Sequence, residues 1–227
     1  MEYFIDSANA AAAAALCRQY PIAGVTTNPT ILAREGGEVR RVLAALRAAI
    51  GERLLHVQPV SEDAGGIVRE ARAVRALVGD PLAIKVPMTP EGLRAMRLLQ
   101  SEGFPVTATA VFSPQQAILA ATVGADYVAP YINRFDTVCG GGAALVRAAA
   151  LLIEKNGLPT RILCASFRNI QQIEEVMEAG ASAVTVTPET FAAMAAHPMT
   201  DAALAAFRRD WNGLWAGETL ETLLAEK

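Results

Sequence analysis

Residues 82–110 read LAIKVPMTPEGLRAMRLLQSEGFPVTATA. The stretch opens on a short apolar run, Leu82 to Val86, and closes on a β-branched one, Val106 to Ala110. Between them, Pro90 to Gln100 has helical period and opens with a proline, which suits a first helical turn. A strand, a crossover helix and a second strand are the parts of a parallel βαβ unit.

The same alternation runs along the whole chain. Strands are expected at Tyr3 to Asp6, Gly24 to Thr26, Leu54 to Gln58, Tyr127 to Pro130, Arg161 to Ser166 and Ala183 to Val186, besides the two above. Helices are expected at Ala8 to Gln19, Glu38 to Ile50, Asp63 to Leu77, Pro114 to Thr122, Ala143 to Asn156, Ile170 to Glu178 and Pro188 to Ala195. With no linker or composition break, 227 residues read as one α/β domain, an eight-stranded parallel β/α (TIM) barrel near the lower end of the length such a barrel needs. An open doubly wound sheet would carry a glycine fingerprint after its first strand, and Ile5-Asp6-Ser7-Ala8 has none. Gly140-Gly141-Gly142 lacks the Lys-Ser/Thr ending of a phosphate-binding loop and reads as a flexible loop opening a helix. An additional C-terminal helix, about residues 200–217, spaces Leu204, Phe207, Trp211 and Trp215 along one stripe. That stripe either covers its own barrel or meets a neighbouring subunit.

Hydrophobic residues at 52% and charged residues at 19% argue against disorder. A net charge of -3 gives no global basic field, so neither nucleic acid nor an anionic membrane is an expected partner. The start, MEYFIDSANA, lacks a basic-then-apolar leader pattern, and no apolar run has the length of a membrane span, which places the protein in the cytoplasm. Cys17, Cys139 and Cys164 form no CxxC pair and fit reduced thiols. Only His56 and His197 are available as imidazoles, which argues against a His-rich zinc site and leaves carboxylates open as magnesium ligands.

A barrel of this kind forms its active site at the carboxyl ends of the strands. Nearly every expected strand ends on polar residues there: Asp6, then Thr26 and Asn28, Gln58, Lys85, Thr109, Tyr131 and Arg134, Ser166 and Arg168. Lys85 is the sharpest of these, an amine within Leu82-Ala83-Ile84-Lys85-Val86-Pro87. Desolvation disfavours the charge on a lysine, and the free amine is the form that condenses with a carbonyl to a Schiff base. An isolated strand lysine would more simply run its stem along the sheet to water, but on the inner wall of a closed barrel it has no outer solvent to reach.

Schiff-base chemistry also needs a proton shuttle, and Tyr131 is assigned as general acid/base through a water held by Gln58 and Thr109. Asp6 either orients substrate hydroxyls or caps the helix that starts near Ala8. Arg134, Ser166 and Arg168 follow strands six and seven, where barrels commonly bind phosphate, so a small-molecule sugar phosphate is the expected substrate. His56 shares the inward parity of Gln58 and reads as a buried core histidine rather than a substrate contact. Cys164 reads as packing.

Ala23-Gly24-Val25-Thr26-Thr27-Asn28-Pro29-Thr30 and Ile84-Lys85-Val86-Pro87-Met88-Thr89-Pro90-Glu91-Gly92-Leu93 resemble the transaldolase family, in particular its small fructose-6-phosphate aldolase branch. Tyr127-Val128-Ala129-Pro130-Tyr131-Ile132-Asn133-Arg134 and Ala165-Ser166-Phe167-Arg168 extend the resemblance over nearly the full length. It implies a β/α barrel, no metal and no organic cofactor, a Schiff-base lysine at Lys85, and Asp6, Asn28, Thr109, Ser166 and Arg134 in the site. Transaldolases proper usually carry glutamate at the position of Gln58 and phenylalanine at that of Tyr131, so the resemblance favours reversible cleavage of fructose 6-phosphate over transfer of a dihydroxyacetone unit. Phe112-Ser113, Arg168 and His56 depart from the branch's usual residues and bear on substrate preference. The branch assembles as pentamers stacked into decamers, which implies a homo-oligomer here. A binding or regulatory protein that keeps the site without turnover is the remaining alternative.

Overall fold

The computed structural model describes residues 1–225. They fall into two compact units, the first spanning Met1–Phe191 and the second beginning at Ala192. In the first, eight strands follow one another in space as they do in sequence: β1 Glu2–Asp6, β2 Ile22–Thr26, β3 Leu54–Val57, β4 Leu82–Pro87, β5 Val106–Val111, β6 Tyr127–Pro130, β7 Arg161–Cys164 and β8 Ala183–Val186. Each pairs in parallel with the next, and β8 returns to β1 to close the barrel. The intervening helices are α1 Ala10–Gln19, α2 Pro29–Glu35, α3 Val39–Ile50, α4 Ala64–Val78, α5 Pro90–Ser101, α6 Pro114–Thr122, α7 Ile132–Val138, α8 Gly142–Lys155, α9 Ile170–Glu178 and α10 Pro188–Ala195. The fold is a TIM barrel, followed in the second unit by α11 Pro198–Trp215 and α12 Leu220–Leu224.

In-register partners on parallel strands point to the same side. Lys85 therefore shares the inner wall with Thr107, as does His56 with Ala83. The interior below is packed by Phe4, Tyr127, Leu163 and Ala183. Fully burying a side chain such as Phe4 contributes about 1.5–3 kcal/mol. At the amino ends the Tyr127 hydroxyl donates to Glu2 at 2.9 Å, and Arg161 pairs with Glu2 at 2.7 Å while lying 4.1 Å above the Tyr127 ring. This plug leaves the carboxyl ends as the open face of the barrel interior.

Helix α1 starts two residues later than its alanine run suggests. Asn9 caps it, accepting from the Ala12 amide at 2.8 Å, so Asp6 is not the capping residue and its carboxylate is free for other contacts. Two strands end short of expectation: β3 stops at Val57, before Gln58, and β7 at Cys164, just ahead of Ser166, which turns away with φ 63°. Helices α2 and α7 were absent from the sequence-based assignment; each has only seven residues, and α2 buries none of them, so neither shows an amphipathic period.

Gly92 lets α5 close onto the end of β4, since a Cβ there would stand 2.0 Å from the Pro87 carbonyl oxygen. The triple glycine opens α8: the Gly142 amide donates to Asp136 at 2.6 Å, and a Cβ on it would meet Ile132 at 2.9 Å. Among the described residues no single helix is long and apolar enough to cross a membrane. In the second unit the indoles of Trp211 and Trp215 lie 4.9 Å apart, and the Trp211 Nε1–H donates to the Glu218 carbonyl at 2.9 Å.

Candidate active site

A cavity of about 410 Å³ opens among the carboxyl ends of the strands. Its lining includes Asp6, Asn28, Gln58, Lys85, Tyr131, Arg134 and Ser166, which the sequence nominated, and Arg34, Ala110 and Ala165, which it did not. Lys85 is 3% exposed, and its Nζ donates to the Thr27 carbonyl at 3.0 Å. The amine thus reaches the cavity from the inner face of β4, while its strand neighbours Ile84 and Val86 point to the opposite face and are fully buried.

Around it the polar groups are held in place by one another. Thr26 donates to Asp6 Oδ1 at 2.6 Å and lies 2.6 Å from the hydroxyl of Thr185. Thr26 is fully buried behind the cavity, so it positions the Asp6 carboxylate rather than facing a ligand. Thr109 is likewise buried, with its hydroxyl 2.9 Å from that of Tyr131. The Tyr131 ring is braced by the edge of Phe112 at 5.7 Å and by the Arg134 guanidinium at 5.1 Å. Asn28 spends its Oδ1 capping α2, accepting from Ile31 at 3.0 Å, which leaves its amide donors for the cavity it lines. Gln58 lines the cavity, while its Oε1 is buried and has no partner among the described residues.

The backbone adds to the site. Ala110 and Ser166 hold φ of 56° and 63°, a left-handed region that costs a non-glycine residue about 1–2 kcal/mol. Both line the Lys85 cavity. At Ser166 the turn aims the carbonyl at Asn133, whose amide donates to it at 2.7 Å, and this fixes the start of α7 and with it Arg134. Arg168 is exposed and outside the cavity lining; its backbone amide donates to Gln172 at 2.8 Å. Among the described residues, no group of three or more His, Cys, Asp and Glu side chains gathers as a metal site would require. A larger cavity of about 700 Å³ shares Pro29 and Gln58 with this one but is lined by prolines, Val60, Ile67 and polar rim residues, with no amine.

His56 lies in the barrel interior, fully buried, with Nδ1 3.0 Å from the Thr107 hydroxyl and rings of Phe4 and Tyr127 at 5.0 and 5.4 Å. It is a core histidine and does not line the cavity. Burial, and then the charges of Lys85 and Arg161, hold its pKa well below the usual 6.5. Folded, it stays neutral; unfolded, it takes a proton as pH falls through about 6.5. Its contribution is therefore complete above that pH and is lost on acidification, at up to about 1.4 kcal/mol per pH unit. His56→Leu is expected to lose less stability between pH 7 and pH 5 than the parent chain, by about 1–2 kcal/mol in denaturant titrations. Equal losses in the two proteins would contradict this assignment.

A closed β/α barrel with a polar cavity at the carboxyl ends of its strands is an enzyme architecture. A family model described as Transaldolase/Fructose-6-phosphate aldolase matches residues 3–223. A protein of Streptococcus pneumoniae (strain ATCC 700669 / Spain 23F-1), named as a probable fructose-6-phosphate aldolase, is 39% identical over 213 residues, which cover 93% of this chain and 96% of the relative. The chain belongs to the transaldolase/fructose-6-phosphate aldolase family.

The elements sequence reasoning missed have traceable signals. Asn28-Pro29 is a helix start, with a side-chain cap followed by proline at the first helical position. Following that helix for two turns would have brought Arg34 to notice. Nothing in the sequence marks Ala110, whose left-handed turn arises where the pairing of β5 with β6 slips between Ala108 and Val111.

Proposed function

We propose that the chain is a Schiff-base aldolase that reversibly cleaves fructose 6-phosphate to dihydroxyacetone and glyceraldehyde 3-phosphate. The observation that carries this reading is that the nearly fully buried Lys85 lines the same cavity as Tyr131 and Gln58. Lys85 Nζ attacks the C2 ketone, and water leaves the carbinolamine to give an iminium. The C4 hydroxyl proton passes to Tyr131, whose hydroxyl is held 2.9 Å from that of buried Thr109, as the C3–C4 bond breaks. The bond's electron pair moves into an enamine on Lys85 and the phosphorylated aldehyde departs. Protonation at C3 and hydrolysis then release dihydroxyacetone and return the amine. Asp6 and Asn28 orient the sugar hydroxyls, and Arg134 with Ser166 takes the phosphate end.

Dihydroxyacetone and sugar phosphates are soluble metabolites, and the chain's three cysteines are free, which fits a reducing cytoplasm. Leu204, Phe207 and Trp215 on α11 are 46%, 65% and 43% exposed, and we propose that a homo-oligomer covers this stripe. The distinguishing experiment is incubation with fructose 6-phosphate alone. Free dihydroxyacetone appearing without an added acceptor is expected; turnover only once erythrose 4-phosphate is supplied would make the protein a transaldolase instead.

A further inference from the structure

We infer that Arg34 is a second phosphate-recognising residue of the Lys85 cavity, closing with Arg134 on the anionic end of the substrate; this rests on the sugar-phosphate reading above. Arg34 lies in the last turn of α2, after β2, and Arg134 lies on α7, after β6. In a barrel closed in chain order those two strands stand on opposite sides of the ring. The two arginines therefore come to the mouth from opposite rims, and both line the one cavity of about 410 Å³. That is near the lower end of ligand-pocket volumes, so a phosphate inside it is in reach of either long side chain.

The charge count points the same way. The cavity lining carries Lys85, Arg34 and Arg134 against the single carboxylate of Asp6, one oxygen of which already accepts from Thr26. Arg41, Arg72, Arg75, Arg94 and Arg161 form ion pairs, but among the described residues neither Arg34 nor Arg134 does. Glu35, next to Arg34 in sequence, instead accepts from Asn9 Nδ2 at 3.4 Å. Two guanidiniums without carboxylate partners facing one small cavity form an anion site, and the planar fork of each matches phosphate oxygens. Arg168, the other arginine that the sequence offered for this role, is outside the lining.

The plainer reading is that Arg34 only offsets the dipole at the end of α2. Arg34→Lys keeps that charge and loses the fork, while Arg34→Gln loses both. Three readouts are compared: aldol addition of dihydroxyacetone to glyceraldehyde 3-phosphate, the same addition to unphosphorylated glyceraldehyde, and calorimetric binding of glycerol 3-phosphate, which has no carbonyl. Arg34→Gln is expected to raise KM for the phosphorylated aldehyde and weaken glycerol 3-phosphate about 10- to 100-fold, with kcat/KM for glyceraldehyde held within about twofold. Arg34→Lys should fall between the parent and Arg34→Gln, and both variants should melt with the parent. Equal losses on the two aldehydes, or no loss in Arg34→Gln, would overturn the assignment, and a loss of binding in Arg168→Gln instead would give the role to Arg168. Binding of glycerol 3-phosphate that depends on Arg34, in a protein that adds dihydroxyacetone to neither aldehyde, would keep the anion site and remove the aldolase reading.

Discussion

Lys85→Met is expected to leave a folded barrel that no longer cleaves fructose 6-phosphate, with turnover down by about 10⁴-fold or more, the scale on which loss of a covalent nucleophile registers. Methionine nearly matches lysine in length and would lie on the inner face that buried Ala83 and Thr107 share. The structural loss is the single bond from Nζ to the Thr27 carbonyl, offset by removal of a polar group from a dry surface. The net change in stability should therefore stay within about 1–2 kcal/mol. A steady-state assay, with denaturant unfolding to show that the variant is native, checks both halves. Residual turnover within about tenfold of the parent would mean that no bond to Lys85 lies on the reaction path.

The second large effect is expected at Tyr131. Tyr131→Phe keeps the ring against Phe112 and under the Arg134 guanidinium and removes only the hydroxyl that meets Thr109 at 2.9 Å. If that hydroxyl carries the proton of the C4 hydroxyl, kcat should fall about 10²- to 10⁴-fold with KM little changed. Attack by Lys85 on dihydroxyacetone involves no C4 hydroxyl, so the variant should still form a reducible adduct. That combination separates proton transfer from covalent attack. A fall below about tenfold would move the acid/base role elsewhere.

Much of this could be read before any coordinates. The alternation of apolar runs with helical segments gives the order and type of all eight strands because parallel strands buried on both faces read as short continuous apolar stretches. Seven of the nominated residues meet in one cavity because polar groups at the carboxyl ends of consecutive strands converge when the sheet closes. Parity does not distinguish a residue facing the cavity from one just behind it. Thr26 and Thr109 have the expected inward direction, yet they are buried and meet Asp6 and Tyr131 by hydrogen bonds instead of lining the cavity. Arg34 escaped notice because α2 is too short to show a period, and Ala110 because a left-handed alanine leaves no mark in composition.

Covalent capture by one amine is open to an unusually clean test, because the chain has only three lysines, Lys85, Lys155 and Lys227. Borohydride reduction in the presence of dihydroxyacetone, followed by peptide mass mapping, should place the reduced three-carbon adduct on Lys85 and on neither of the others. An active enzyme that emerges from that treatment with Lys85 unmodified would contradict the account.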